Sequence, residues 1–353
     1  MKRQFGPPSV LAGVLAAGML TLPGSAHELR AQGLKVTGYG DLEWTLQRQD
    51  DPEDKYHNFF DNHHINLILL GWIVDDVTVG AEVEYEHAGE EIALEYGYLA
   101  YTGIRNLRLA AGKFIIPFNR WNKDLHPTWV SKMPGRPLVY SNVFPSTYSD
   151  VGVWATGGLS IGIGNRFTYD LYVVNGLEGD PDASSFRGLR GNDREKQFKD
   201  DNKAVGGRLG VELASGLGLG FSGYTGEYAP DLQMSFVGGD IDYRLEELEL
   251  RAEVVHARQD LTTGDTNERT GFYAQAAYGL GAVSEGLANL EPVVRFSWVN
   301  FEGDASDTSE LGVGFSYYLS ASASVRFAWF FNMEQEAFEK KNDKLMSQFN
   351  VVF

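Results

Sequence analysis

From about residue 35 to the last residue, polar and apolar side chains alternate with period two. Thr37, Tyr39, Asp41, Glu43 and Thr45 interleave with Val36, Gly38, Gly40, Leu42, Trp44 and Leu46. Such alternation gives a strand one polar and one apolar face. A soluble sandwich alternates too, but its strands average about five or six residues. The segments here run to roughly 10–14 residues, the length of a tilted membrane-crossing strand. Sixteen can be marked: 35–48, 62–74, 77–87, 91–102, 107–118, 150–160, 166–175, 203–213, 217–228, 235–245, 247–259, 269–280, 290–301, 309–319, 323–334 and 344–353. Their connections alternate in length. Asp75-Asp76, residues 103–106, 214–216 and 320–322 are tight, whereas 49–61, 119–149, 176–202, 260–268 and 335–343 are long. An even strand number, short turns at one end and long loops at the other predict an all-β protein, a closed transmembrane antiparallel β-barrel of about 16 strands. The charged loop 176–202 is expected to be external.

The two chain ends agree with export to an outer membrane. Lys2 and Arg3 precede the apolar run Val10–Leu22, and Gly24-Ser25-Ala26 offers small residues for cleavage, with Ala31 a later alternative. Residues 1–26 are therefore expected to be a signal peptide and 27–353 a single barrel domain. The run is too short to span a bilayer. Removing it leaves 28 basic and 48 acidic residues, a net charge of −20. So acidic a chain is no general nucleic-acid binder. It has no cysteine, and its 41 glycines and 45 aromatic residues suit many turns and interfacial girdles. Its last segment places Leu345, Phe349, Val351 and Phe353 on one apolar face that continues to the end. In this it resembles outer-membrane barrels, whose final strand is read by the assembly machinery. Phe353 would be the residue so read, with outer-membrane lipid against the apolar faces.

A barrel of this size needs something inside it. Sixteen strands spaced about 4.8 Å apart and tilted about 40° enclose a backbone diameter near 30 Å, too wide for wall side chains to fill. The stretch 119–149 breaks all periodicity, is far longer than a hairpin needs and is rich in Trp, Tyr and Phe. It is the third external loop, expected to fold into the lumen and narrow it. Arg120, Lys123, Lys132 and Arg136 make it basic, with Asp124 its only acidic residue. These four could attract anions, or could pair with the wall and pin the loop.

Turning the polar face of each strand inward gives the lining. Its basic candidates include Arg108, Arg166, Arg208, Arg251, Arg295 and Arg326; its acidic candidates include Asp41, Glu43, Glu82, Glu84, Glu86 and Glu95. Arg326 is the clearest. It lies between Val325 and Phe327, on a strand that continues to Trp329 and Phe331. A charge on that lipid-facing side would cost roughly 2–4 kcal/mol at mid-depth. An acidic wall facing arginines would set a transverse field that sorts solutes. Alternatively, the charges pair across neighbouring strands and merely solvate the wall.

No phosphate-binding glycine loop, HExxH motif or GxSxG elbow is present, so no enzyme activity and no cofactor are expected. His63-His64 with His57 lacks a matched carboxylate spacing and reads as an incidental polar cluster rather than a metal site.

Five stretches occur in order: Leu107–Phe118, Tyr169–Gly176, Gly271–Tyr278, Leu290–Phe296 and Leu311–Leu319. Together they resemble the phosphate-selective porin O/P family. The resemblance implies a sixteen-stranded barrel of the bacterial outer membrane, commonly a homotrimer, whose third loop enters the lumen. It implies passive diffusion of small hydrophilic solutes, anions such as phosphate among them. The family's arginine ladder and lysine cluster cannot be matched here residue by residue. The acid excess keeps a non-specific or cation-preferring porin as the alternative. A barrel enzyme and a plugged structural barrel are less favoured.

Overall fold

A computed structural model describes residues 33–49, 55–179, 186–190, 202–301, 307–335 and 340–353. The expected signal peptide lies outside the described residues. Sixteen strands follow in chain order: β1 (Gly33–Arg48), β2 (Tyr56–Val74), β3 (Val77–Glu86), β4 (Glu91–Ile104), β5 (Leu107–Ile115), β6 (Ser149–Ser160), β7 (Arg166–Val174), β8 (Ala204–Glu212), β9 (Leu217–Ala229), β10 (Leu232–Leu245), β11 (Leu248–Asp260), β12 (Thr266–Tyr278), β13 (Leu290–Phe301), β14 (Thr308–Ser320), β15 (Ala323–Glu334) and β16 (Lys344–Val352). Each pairs antiparallel with its sequence neighbours, and β1 pairs with β16 to close the barrel. The seam is tied by Gly38 and Phe353, each donating its N–H to the other's carbonyl at 2.9 and 3.0 Å. Closure leaves no strand edge unpaired, which a bilayer core demands.

The expected strands all form, with several boundaries moved by two residues or more. β2 begins at Tyr56 rather than residue 62, because its pairing with β1 continues to Arg48 opposite Tyr56. β5 ends at Ile115 rather than Phe118, since Pro117 has no N–H to donate. The length alternation also fails twice. Residues 230–231 make a two-residue turn among the long loops, and 279–289 form a longer connection among the short ones.

The faces separate as the alternation requires. On β15, Phe327, Trp329 and Phe331 are 36–50% exposed, while Arg326, Ala328 and Phe330 are fully buried. The outward side chains form the lipid-facing surface. Gly112 sits where β5 crosses β4: with φ of 131°, any Cβ there would lie 2.4 Å from the Gly97 carbonyl oxygen.

Candidate functional site

The segment 116–148 connects β5 to β6 and packs against inward-facing side chains. Its sequence explains why. Ile116, Phe118, Trp121, Leu125, Val139, Tyr140, Val143, Phe144 and Tyr148 are all buried. The barrel answers with inward apolar residues: Tyr172 on β7, Tyr224 on β9, Phe236 on β10, Val255 on β11, Tyr273 on β12 and Val299 on β13. Phe118 stacks on Phe144 at 4.4 Å, and Phe236 meets both edge-on. Trp121 stacks on Tyr140 at 5.7 Å, with Tyr273 edge-on to both. Each such aromatic contributes roughly 1.5–3 kcal/mol by leaving water. The interior from β7 to β13 therefore carries an apolar layer and is not the uniformly polar lumen that alternation suggested.

Polar contacts fix the segment at both flanks. Asn119 donates its N–H to Ser222 Oγ at 2.9 Å. Glu253 on β11 accepts from the Trp121 N–H at 3.2 Å, from Tyr273 at 2.9 Å and from the Tyr140 hydroxyl. Burial, then the adjacent Glu253, pushes the Tyr140 hydroxyl well above its ordinary pKa, so it stays a donor. A short helix, α1 (Leu138–Asn142), carries Tyr140. Lys123 donates to Asp170 at 2.6 Å, and Lys132 to Glu291 at 2.8 Å. Burial works against the Lys132 ammonium, but Tyr318, Glu249 and Glu291 outweigh it and raise its pKa. Arg120 lies 3.6 Å from Glu212 and 3.8 Å from Asp242. Thus three of the four loop cations hold the loop to the wall. Among the described residues Arg136 alone of the four has no carboxylate partner; it donates to the Ser146 carbonyl at 2.6 Å.

The inward arginines divide in the same way. Arg295 donates to the Gly135 carbonyl at 3.0 Å, and Arg326 to the carbonyls of Thr128 and Trp129. Arg208 grips Asp240 at 2.6 and 3.1 Å; Arg251 contacts Asp242 at 2.7 Å and Glu249 at 2.9 Å. These four were expected along the pore. They point inward but are buried and paired, two of them against the loop itself, and of the four Arg208 alone borders a cavity. Arg108, Arg166 and Arg208 line a chamber of about 540 Å³ near the short-turn end, together with Arg120, Lys123 and Glu212.

The remaining open space lies beside β1–β4. A cavity of about 570 Å³ is bounded there by Glu43, Glu84, Glu86, Glu91 and Glu95. Asp41 and Glu82, also expected in the lining, are buried behind it; Glu82 accepts from Tyr39 at 3.0 Å and from Asn66 at 2.7 Å. The loop side supplies Arg136, Arg187 and Arg190, and β5 supplies Lys113. Arg136 and Arg187 both donate to the Ser146 carbonyl, and Arg190 to that of Thr147 at 2.6 Å. Among the described residues none of the three arginines forms an ion pair. Burial, then the neighbouring Arg190, lowers the Arg187 pKa.

Arg187 and Arg190 escaped the sequence reading because 176–202 looked external. Phe186 and Leu189 carried the missed signal: both bury in the apolar core and turn 186–190 inward. His63 and His64, read as incidental, both reach the cavity beside Glu43, Glu84 and Glu86. His57 pairs in register with Gln47, higher on β2, and is exposed.

Comparison with known proteins gives the same picture. A family model described as Gram-negative porin matches residues 11–329. No curated protein sequence matches the chain. The anion-selective porin from Comamonas acidovorans superposes with a TM-score of 0.64 at 10% identity, covering 91% of this chain and 99% of that one. The trimer form of OmpT from Vibrio cholerae gives 0.62 at 10% identity over 92% and 100%. OmpF of Salmonella typhi, solved with daunomycin, gives 0.60 at 14% identity over 91% and 97%. These likenesses support the expected resemblance at the level of porins, not of the phosphate-selective group. A closed sixteen-stranded barrel and a family match over most of its length lead to one conclusion: the chain belongs to the Gram-negative porin family, whose members are outer-membrane channels for small solutes.

Proposed function

We propose that this channel passes small hydrophilic solutes by passive diffusion, and that its waist carries a transverse field with a net preference for cations. One observation supports the reading. The open cavity is walled by Glu43, Glu84, Glu86, Glu91 and Glu95 from β1–β4, against Lys113, Arg136, Arg187 and Arg190. The loop cations that might have reversed that balance, Arg120, Lys123 and Lys132, are engaged by wall carboxylates. Opposed charges across a narrow, low-dielectric gap orient dipolar solutes and weight the passage of ions.

The anion reading, with phosphate as the model solute, keeps one supporting feature. Arg108, Arg120, Lys123, Arg166 and Arg208 share the second chamber with only Asp124 and Glu212 as acidic partners. The named selectivity of the Comamonas acidovorans porin lends it further weight. A homotrimer is the assembly we infer, supported by the trimer form of the Vibrio cholerae protein.

The deciding experiment is the reversal potential of single channels in a planar bilayer under a KCl gradient, followed by phosphate titration. Cation preference without phosphate block is expected. Anion preference with phosphate block of the chloride current would transfer control to the basic chamber. Absence of any channel would overturn the diffusion reading itself.

A further inference from the structure

Adjacent residues in a regular strand point to opposite faces, yet His63 and His64 both enter the lumen. The cause is a β-bulge. Asp41 pairs with His64 and Glu43 with Asp61, so Asn62 and His63 together oppose Leu42. The two imidazole rings come within 3.7 Å of each other, centre to centre. Asp41 lies between their Nδ1 atoms, with Oδ2 3.3 Å from His63 and Oδ1 3.1 Å from His64. One ligand atom from each of Asp41, His63 and His64 can be chosen with all three within 4.8 Å. Tetrahedral zinc, with bonds near 2.0–2.1 Å, places neighbouring ligand atoms about 3.3 Å apart. The two histidine–aspartate contacts already have that spacing.

The carboxylate is held from behind. Asp41 accepts from Thr128 Oγ1 at 2.7 Å and from Gln348 Nε2 at 3.1 Å. The same Gln348 nitrogen donates to Glu43 at 2.6 Å, and Glu43 Oε1 lies 3.4 Å from His63 Nδ1. Partners of this kind fix the orientation of a ligand before an ion arrives. Access is open, because His63, His64 and Glu43 line the cavity. Two imidazoles and a carboxylate suit a borderline transition ion better than Mg²⁺ or Ca²⁺, which take oxygen shells.

We propose that Asp41, His63 and His64 form a binding site for a divalent transition ion of the zinc class, with Glu43 the nearest further carboxylate. The site sits on the acidic wall of the waist. An ion bound there places two positive charges on the acidic wall opposite Arg136, Arg187 and Arg190 and weakens the local field, so metal occupancy tunes what the channel passes. The binding itself does not depend on the cation-preference reading. A second three-ligand set, His64 with Glu84 and Glu86, uses the other nitrogen of the same ring, Nε2, at 3.9 and 3.3 Å but offers one imidazole only. The two-imidazole set is the one assigned.

The test is calorimetric titration of Zn²⁺ into the full-length, detergent-solubilised barrel, which reads binding whether or not the protein conducts. One Zn²⁺ per chain is expected, bound at least tenfold more tightly than Mg²⁺. His63→Gln and His64→Gln should each weaken Zn²⁺ at least tenfold, and Glu86→Gln by no more than twofold. Equal Zn²⁺ and Mg²⁺ affinity, or an unchanged affinity in His63→Gln, overturns the site as diffuse screening by the acidic wall. Loss of binding in Glu86→Gln with His63→Gln intact overturns the ligand assignment. Zinc-edge X-ray absorption on the unmodified protein needs no variant: nitrogen and oxygen ligands are expected, and an all-oxygen shell overturns the proposal. Channels that conduct normally but bind no zinc would sink this site and leave the diffusion reading standing.

Discussion

Asn122 and Tyr148 hold each other in both directions across the base of segment 116–148. Asn122 Nδ2 donates to the Tyr148 carbonyl at 3.1 Å, and its Oδ1 accepts the Tyr148 N–H at 3.0 Å. The same Nδ2 reaches the Ile116 carbonyl at 2.8 Å. One amide side chain thus closes a loop of more than thirty residues as a strand pair would. Asn122→Ala should leave the buried Tyr148 N–H unsatisfied, at about 1–3 kcal/mol, while the Tyr148 and Ile116 carbonyls still accept from the Ile116 and Phe118 N–H groups. The barrel should still fold, since no strand pairing is touched. Larger and noisier single-channel currents are the expected result; a conductance identical to that of the unmodified protein would show that the clasp is dispensable.

Arg326 makes a separable prediction about the opposite flank. It is fully buried and holds the carbonyls of Thr128 and Trp129. Arg326→Met keeps much of the side-chain volume and removes both bonds, which are worth roughly 1.5–3 kcal/mol each when the donor is charged. Amide exchange should accelerate across residues 128–136, while 116–122 stays protected through Asn119 and Asn122. Uniform acceleration along the whole segment would mean that it moves as one body.

Shortening the loop should do two things together. Replacing residues 119–147 by a brief glycine linker opens the lumen and raises conductance by about severalfold, in proportion to the cleared cross-section. It also strips the cover from Phe236, Tyr273 and Val255, leaving an apolar wall facing water. Thermal unfolding of the barrel in detergent should therefore fall at the same time. Raised conductance with undiminished stability would contradict the apolar packing described above.

Acid should loosen the same segment through His126. Burial pushes this imidazole down to about 4, against the ordinary 6.5, despite the hydrogen bond from its Nδ1 to the Asn122 carbonyl at 3.0 Å. The released segment takes up the proton more readily than the packed one. The packed state is therefore fully stable above about pH 6.5 and loses stability as pH falls towards 4, by on the order of 3 kcal/mol. Open-channel noise should grow across that window, and His126→Gln should flatten the profile. A profile unchanged by the substitution would assign acid sensitivity to other groups.

The barrel was legible because its rule is local. Val325, Phe327, Trp329 and Phe331 define a lipid face in single-residue steps, and Arg326 could be turned inward from that pattern alone. The site was only half legible. Which inward charges meet solute depends on the path of the loop, and that path is set by long-range packing. Phe118 finds Phe144 and Phe236 at distances in sequence that no periodicity encodes. Glu253, inward on β11, anchors Trp121 and Tyr140 rather than facing either cavity. The inward turn of His63 depended on a bulge opposite Leu42, a one-residue slip with no mark in the alternation.

The apolar layer inside the barrel has a consequence for how such a channel can change. Five of the groups that anchor segment 116–148, Arg295, Arg326, Lys132, Asp170 and Glu253, are not among those that bound the cavity beside β1–β4. Glu86 and Glu91 can therefore be exchanged with little disturbance to the scaffold beneath them, whereas Arg187 and Arg190 also hold the Ser146 and Thr147 carbonyls. Under the proposed reading, part of the lining is replaceable, and a lineage of such barrels can retune what it admits without relearning how to fold.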